Sequence, residues 1–282
     1  MGLVRTGGGG RPTGLDRERL SGMRNLQLKH VLGRLMPSMF LRGLLAALVA
    51  GAFAATALAT TDHSQHTSAS IVLGKTPDYP ESGCPAPDKC EVVARVTGIQ
   101  MRASGVEHPF KAPVSGQVVA WWLKLPKLRS TQIRTFNGLF GGDPAARIAI
   151  LRRGKGARFR LIRQSENQPL RADLGKPGRV RYRLPQPLRV KAGDYVGLTA
   201  VTWLPAFAVN LDAPGNSWLA SRSKSRCATP ASTRPKQFEK YYKRNDAQLQ
   251  GSTVKQYECS YETARLLYWA RIVPDAAPPA TP

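Results

Sequence analysis

From Glu91 to Leu211 the sequence is a series of short stretches of β-branched, aromatic or alternating residues, separated by Gly and Pro. Such stretches are typical of β-strands, in which neighbouring side chains point to opposite faces of a sheet. Parallel strands would need a crossover helix between them, and no long amphipathic helix is evident. The sequence therefore predicts an all-β fold, an antiparallel β-sandwich of the jelly-roll type. The predicted strands are Val92–Met101, Gln117–Leu125, Arg147–Arg152, Arg158–Arg163, Arg179–Leu184, Leu188–Lys191, Asp194–Val201 and Arg265–Val273.

Two glycine-containing turns and two helices complete the predicted elements. Gly154–Gly156 is a tight link between two strands, and Ala192–Asp194 is another. A short helix is expected around Thr131–Leu139, within a polar loop. The longer helix is expected at Pro235–Gln250.

The range 212–262, called here the 212–262 segment, shows no strand alternation. Loops of this length in a compact domain are uncommon and are usually functional or disordered. We predict a disulfide-closed insertion of loop and helix within a sandwich domain that spans residues 84–275. Residues 60–83 are expected to form an extended leader, and residues 276–282 a disordered tail.

All four cysteines follow residue 83, and they are Cys84, Cys90, Cys227 and Cys259. An even number of cysteines in an exported chain indicates disulfides. We favour Cys84–Cys90 and Cys227–Cys259 among the three pairings, since each closes a loop of modest entropy. A metal site would need Cys-x2-Cys spacing or nearby His, so no metal is expected.

The uncharged run Gly43–Ala59 follows Arg42 and ends in Ala-Leu-Ala. A basic residue, an apolar core and a small-x-small ending are the parts of a secretory signal. The run is short for a membrane span, which needs roughly 20 apolar residues. We predict that residues 1–59 are a cleaved signal peptide, with a retained N-terminal anchor as the alternative. The 42 residues before the run are more than a signal peptide usually has there, so Met23 or Met39 is an alternative start of translation.

The chain is strongly basic, with 42 Lys plus Arg against 18 Asp plus Glu. The first 59 residues hold eight basic and two acidic residues, so 34 against 16 remain after cleavage. Such an excess favours anionic partners. The alternative is a coding bias that enriches Arg, Ala, Gly and Pro together.

Arginines alternate with apolar residues on two predicted strands. Arg179, Arg181 and Arg183 share one strand face, and Arg158 and Arg160 repeat the arrangement. Like charges opposite one another across strands repel, so adjacent arginine strands would need anions. The planar guanidinium suits phosphate, sulfate or carboxylate. The alternative is a solvated outer face of the sandwich.

The predicted helix of the 212–262 segment combines basic and aromatic residues. Such a combination can hold phosphates and stack rings. The alternative is that Phe238 and Tyr242, four residues apart, pack the helix onto the sandwich while the lysines face water. The candidate binding residues here are Lys240, Tyr241, Tyr242, Lys243 and Arg244.

Trp121 and Trp122 are adjacent on one predicted strand and must point to opposite faces. One is therefore expected in the core and the other on the outer face. We list Trp122 as a candidate for stacking a sugar ring. The alternative is that the second Trp lies beneath the 212–262 segment.

Two stretches together resemble secreted bacterial jelly-roll modules. They are Pro109–Gly116, which precedes the tryptophan-bearing strand, and Val190–Leu198, which contains a Lys-Ala-Gly-Asp turn. Together with the residues between them, the two stretches span about a third of the chain, and the resemblance implies a fold class and an exported context. The resemblance identifies no named family, and it assigns no ligand-binding residue in this chain.

Catalysis has little support in the sequence, which contains no Gly-x-Ser-x-Gly or His-Glu-x2-His motif. We expect an exported, non-enzymatic sandwich that binds an anionic cell-envelope polymer or acidic glycan. We expect no cofactor and no specific nucleic acid, and membrane contact only if the apolar run is retained. One alternative is a hydrolase with paired carboxylates between sandwich and insertion. The other is a structural surface protein that binds a protein partner through an apolar patch.

Overall fold

The computed structural model describes residues 69–84, 90–176, 178–227 and 244–276. The predicted signal peptide, and all but residue 276 of the predicted tail, lie outside these ranges. The strands in the described ranges are, in chain order, β1 (Ile71–Leu73), β2 (Val93–Ala103), β3 (Val106–Glu107), β4 (Gly116–Lys124), β5 (Ala145–Arg153), β6 (Arg158–Gln164), β7 (Gln168–Pro169), β8 (Arg179–Val190), β9 (Tyr195–Leu204), β10 (Phe207–Ala208), β11 (Ser217–Ala220), β12 (Val254–Gln256), β13 (Cys259–Glu262), β14 (Arg265–Leu266) and β15 (Tyr268–Pro274). The fold is all-β, as predicted.

One sheet has four antiparallel strands in the order β1-β15-β4-β8. Its edge strand β8 joins the two predicted strands Arg179–Leu184 and Leu188–Lys191 into one. Pro185 and Pro187 lie between them, and prolines are tolerated at a sheet edge because no neighbour needs their missing N–H. The pairing with β4 shifts register here, between Val118 and Ala120.

The second sheet is larger and curls back on itself. Its main path runs β12-β6-β5-β9-β2-β11-β13, with β3 and β7 paired at the side. Its end strands β12 and β13 are separated in sequence only by Tyr257 and Glu258. The chain can join the two ends in so few residues only if the sheet is curled so that its two edges come close together. Every strand pair in the described ranges is antiparallel.

Curling gives the large sheet two buried faces. Ile148 and Ile150 of β5 belong to the main core, together with Trp121 and Tyr268 of the four-stranded sheet. The intervening Ala149 and Leu151 pack inside the curl, with Phe159, Leu161, Tyr195 and Tyr257. Alternation within the predicted strands places nine apolar residues in the core, and all but Val180, which is half-buried, are buried: Val118, Ile148, Ile150, Phe159, Leu161, Tyr182, Val196 and Leu198.

A helix, α1 (Ser130–Phe140), confirms the short helix predicted in the polar loop. The Gln132 side chain accepts a hydrogen bond from the Arg129 backbone N–H at 2.8 Å, which satisfies a donor at the helix start. Gly141 ends the helix in the left-handed region at φ 73°, where glycine has no steric penalty. Phe136 and Phe140 pack against Trp203 in a separate cluster. Within the described ranges, no helix has the length and apolar character needed to cross a membrane.

Both predicted disulfides are formed, Cys84–Cys90 and Cys227–Cys259. Disulfides persist in oxidising compartments, which is consistent with a location outside the cytoplasm.

The 212–262 segment differs from its prediction as a strand-free insertion. It supplies β11, β12 and β13 to the large sheet. The helix predicted over Pro235–Gln250 lies mostly outside the described residues, but residues 244–249 are not helical. Their backbone N–H groups donate to β2 and not within a helix: the Asp246 N–H donates to the Arg95 carbonyl at 2.8 Å and the Gln248 N–H to the Thr97 hydroxyl at 2.9 Å. This stretch therefore lies along β2, and Gln248 is fully buried.

The leader also contributes to the fold. Ile71–Leu73 pairs with β15, with Val72 opposite Arg271. The expected extended leader thus includes the edge strand of the four-stranded sheet.

Candidate functional site: an arginine–tryptophan face

The outer face of the four-stranded sheet carries the arginines predicted on β8. Arg179, Arg181 and Arg183 are exposed, whereas Tyr182 and Leu184 are buried. The alternation predicted from the sequence is therefore correct, and this edge strand presents a row of guanidinium groups.

Strand register places tryptophans and a further arginine beside that row. Trp122 of β4 lies opposite Arg181 of β8 on one side and opposite Trp269 of β15 on the other. In the next row, Ala120 lies between Arg183 and Arg271. We call the set Arg179, Arg181, Arg183, Arg271, Trp122 and Trp269 the arginine–tryptophan face.

The guanidinium groups lie against the rings. The Cζ atoms of Arg181 and Arg271 are 5.5 and 5.4 Å from the Trp122 ring centroid. Arg179 Cζ lies 4.8 Å from the Trp269 ring and 5.1 Å from that of Tyr79. All four distances are within the range of a cation–π interaction. These contacts restrict the rotamers of long side chains, which reduces the entropy lost when a ligand binds.

No carboxylate neutralises these arginines within the part of the chain that the structure describes. The nearby acids are used by other cations: Glu81 pairs with Lys124 at 2.7 Å, and Asp275 pairs with Arg189 at 2.6 Å. Two buried donors, Arg271 Nε and Trp269 Nε1, also have no acceptor among the described residues. The face is therefore cationic, and its exposed donors are the guanidinium groups, since Trp269 is only 1% exposed.

The arginines of β6 are not part of this face, because β6 belongs to the large sheet. The two arginine strands are thus not neighbours. Arg160 donates to the Ser252 carbonyl at 3.1 Å, a structural contact. Arg158 lines a separate cavity.

The candidate residues of the 212–262 segment divide differently. Lys240, Tyr241, Tyr242 and Lys243 lie outside the described residues, and Arg244 is described and exposed. The structure therefore places only Arg244 of this group.

The two tryptophans predicted to point apart do so. Trp121 is buried in the main core at 1% exposure, and Trp122 lies half-buried on the outer face. Two arginines contact the Trp122 ring, so its geometry suits holding guanidinium groups better than stacking a sugar. The described strands of the 212–262 segment lie in the other sheet, so they do not cover it.

Sequence reasoning missed Arg271, Trp269 and Tyr79. The first two alternate with the core residues Tyr268, Ala270 and Ile272, so the period-2 rule was sufficient to place them on the outer face. Their proximity to β8 depends on register, which the sequence does not specify. Tyr79 follows β1 and has no strand pattern.

Most of the carboxylates that a hydrolase would need are engaged by cations. Of six separated acids that could pair in space, Glu107, Asp143, Glu166, Asp173, Asp194 and Asp212, four form ion pairs at 2.5–2.9 Å, namely Glu107, Asp143, Asp173 and Asp194. The described residues hold no group of three His, Cys, Asp or Glu that could bind a metal ion.

The chain was compared with family models, with curated proteins and with solved structures. No family model, curated protein or solved structure matches it. The arginine–tryptophan face must therefore be interpreted from its own chemistry.

Proposed function

We propose that this protein is an exported, non-enzymatic β-sandwich that binds an anionic cell-envelope polymer or acidic glycan through the arginine–tryptophan face. The main supporting observation is a set of four arginines on one sheet face that have no carboxylate partner among the described residues. Three of them, Arg179, Arg181 and Arg271, lie against aromatic rings. The apolar run Gly43–Ala59 and the two disulfides support export.

A repeating anion suits this geometry. Arg179, Arg181 and Arg183 occupy every second position of β8, about 7 Å apart, and Arg271 lies two strand spacings away on β15, about 10 Å across β4. Several anionic groups of one polymer chain can therefore bind at the same time, each to the planar guanidinium of one arginine. A protein partner that docks through an apolar patch has less support, because the exposed large apolar side chains of the described residues lie on separate elements: Tyr79, Val106, Val114, Val254 and Val273.

The test is the salt dependence of binding to poly(glycerol phosphate), with polygalacturonate as a carboxylate comparator. Each phosphate that the protein neutralises releases counterions and adds roughly 0.7–0.9 to the slope of log affinity against log salt. Replacing Arg179, Arg181 and Arg183 by Ser should therefore flatten the slope by about 2. The fold should survive, since these side chains point outward.

A charge-matched control separates the face from the net charge. Arg134, Arg153 and Arg163 are exposed and form no ion pair within the described ranges, so their replacement by Ser removes the same charge elsewhere. The control triple variant should retain most of the slope. Equal flattening in both triple variants, or salt-insensitive binding, would exclude the arginine–tryptophan face as the site.

A further inference from the structure

A second basic site lies on the large sheet, in a cavity of about 520 Å³. Its lining includes Arg158 at the start of β6, Arg222 and Arg226 after β11, Lys255 of β12, and Asp246. Among the described residues, four cations and one carboxylate line the cavity, which gives this lining a net charge near +3. Its size is within the usual range for small-molecule sites, roughly 300–1,000 Å³.

Asp246 organises the cations. Its carboxylate oxygens lie 3.0 Å from Arg222 Nε and 2.7 Å from an Arg226 terminal nitrogen. Arg222 also donates to the Tyr261 hydroxyl at 3.1 Å. Lys255 Nζ donates to the carbonyls of residues 246 and 247, both at 2.9 Å. Arg222, Arg226 and Lys255 are therefore held in place before any ligand binds.

Donor capacity remains after these contacts. Asp246 is the sole ion-pair partner of the Arg226 guanidinium within the described ranges, and 38% of that side chain is exposed. Arg158 is exposed and has no ion pair within the same ranges. Lys255 keeps a third N–H beyond its two carbonyl acceptors. Burial lowers the pKa of Lys255; the charge of Asp246 opposes that effect, and the charge of Arg226 adds a smaller contribution to it.

We propose that this cavity binds a phosphate monoester, the terminal dianion of a small molecule or of a polymer end. A group with charge near −2 offsets a net charge of +3 better than a monoanion does, and a phosphate monoester has about that charge at neutral pH. Its three terminal oxygens match the donors of Arg158, Arg226 and Lys255. Phosphodiesters and sulfate esters carry one charge per group and fit less well. The site is independent of the proposed function, since it shares no residue with the arginine–tryptophan face.

The test is isothermal titration calorimetry of the full chain with glucose 6-phosphate and glucose 6-sulfate at low salt. We expect saturable binding of the phosphate, and weaker binding of the sulfate, which has the same shape and half the charge. Arg158→Gln and Arg226→Gln should each weaken phosphate binding roughly tenfold, the effect of losing a charge-assisted hydrogen bond. Arg163→Gln is the matched control: it is exposed on the same strand as Arg158, outside the cavity lining, and should change affinity less than about twofold.

Three results would overturn the proposal: no saturable binding of glucose 6-phosphate, equal affinity for the two esters, or a loss in Arg163→Gln as large as that in Arg158→Gln. Circular dichroism of each variant checks folding, and exposed Arg158 keeps the test valid if Arg226→Gln unfolds. The triple Ser variant of Arg179, Arg181 and Arg183 should bind glucose 6-phosphate like the wild type. A failure of polymer binding at that face is thereby separated from a failure at the cavity.

Discussion

Replacing Asp246 by Ala is expected to lower the free energy of unfolding by about 3–5 kcal/mol, the usual cost of breaking a buried ion pair from one side. The Arg222 and Asp246 side chains are 9% and 7% exposed, and Arg226 is the second cation on the same carboxylate. Without Asp246, the buried Arg222 guanidinium loses the carboxylate that its Nε contacts. Its hydrogen bond to Tyr261 cannot replace that negative charge. Urea denaturation with the disulfides intact measures the effect.

Two further variants make this measurement specific. Asp275→Ala removes a pair with Arg189 in which the side chains are 36% and 54% exposed, and should cost less than about 1 kcal/mol. Asp246→Asn keeps an acceptor but loses the charge, so its cost should lie between the other two. Equal costs for Asp246→Ala and Asp275→Ala would mean that Arg222 does not depend on the carboxylate.

The strands that the sequence predicts correctly are long enough to show a period. On β8, three exposed arginines alternate with the half-buried or buried Val180, Tyr182 and Leu184. On β5, apolar residues continue without alternation because both faces are buried: Ile148 and Ile150 in the main core, Ala149 and Leu151 inside the curl. Continuous apolar character is the expected sign of such a strand.

The strands missed in the sequence are β1, β3, β7, β10, β11, β12 and β13, of two to four residues each. A period of two cannot be recognised in so few positions. These strands are specified by their partners instead: β11 lies between β2 and β13, and β12 pairs with β6. Tertiary pairing decides such cases, because strand preference depends on context.

The arginine–tryptophan face was half predictable. The outward direction of Trp122 and the β8 arginines follows from alternation within each strand. The addition of β15, which brings Trp269 and Arg271, follows from sheet order and register. The cavity at Asp246 joins residues from four separate stretches of chain, and no local pattern marks such a site.

The second large loss of stability is expected when buried side chains of β5 and β6 are truncated. These two strands contribute to both the main core and the interior of the curl. Ile150 and Leu161 are both fully buried, but Ile150 belongs to the core between the sheets and Leu161 to the interior of the curl. Each change to Ala removes buried methyl groups and leaves a cavity. Each should lower the free energy of unfolding by about 2–5 kcal/mol.

The matched control is Val254→Ala on β12, which pairs with β6 and whose side chain is 46% exposed. It should cost less than about 0.5 kcal/mol, since a surface substitution removes little buried area. The same urea series measures all three variants. Because a one-residue slip moves every side chain to the other face, near-neutral results at both Ile150 and Leu161 would contradict the strand register. If only Ile150→Ala lowered the free energy of unfolding, the sandwich would be supported and the curl of the large sheet contradicted. Leu161 is buried only if that sheet curls around it.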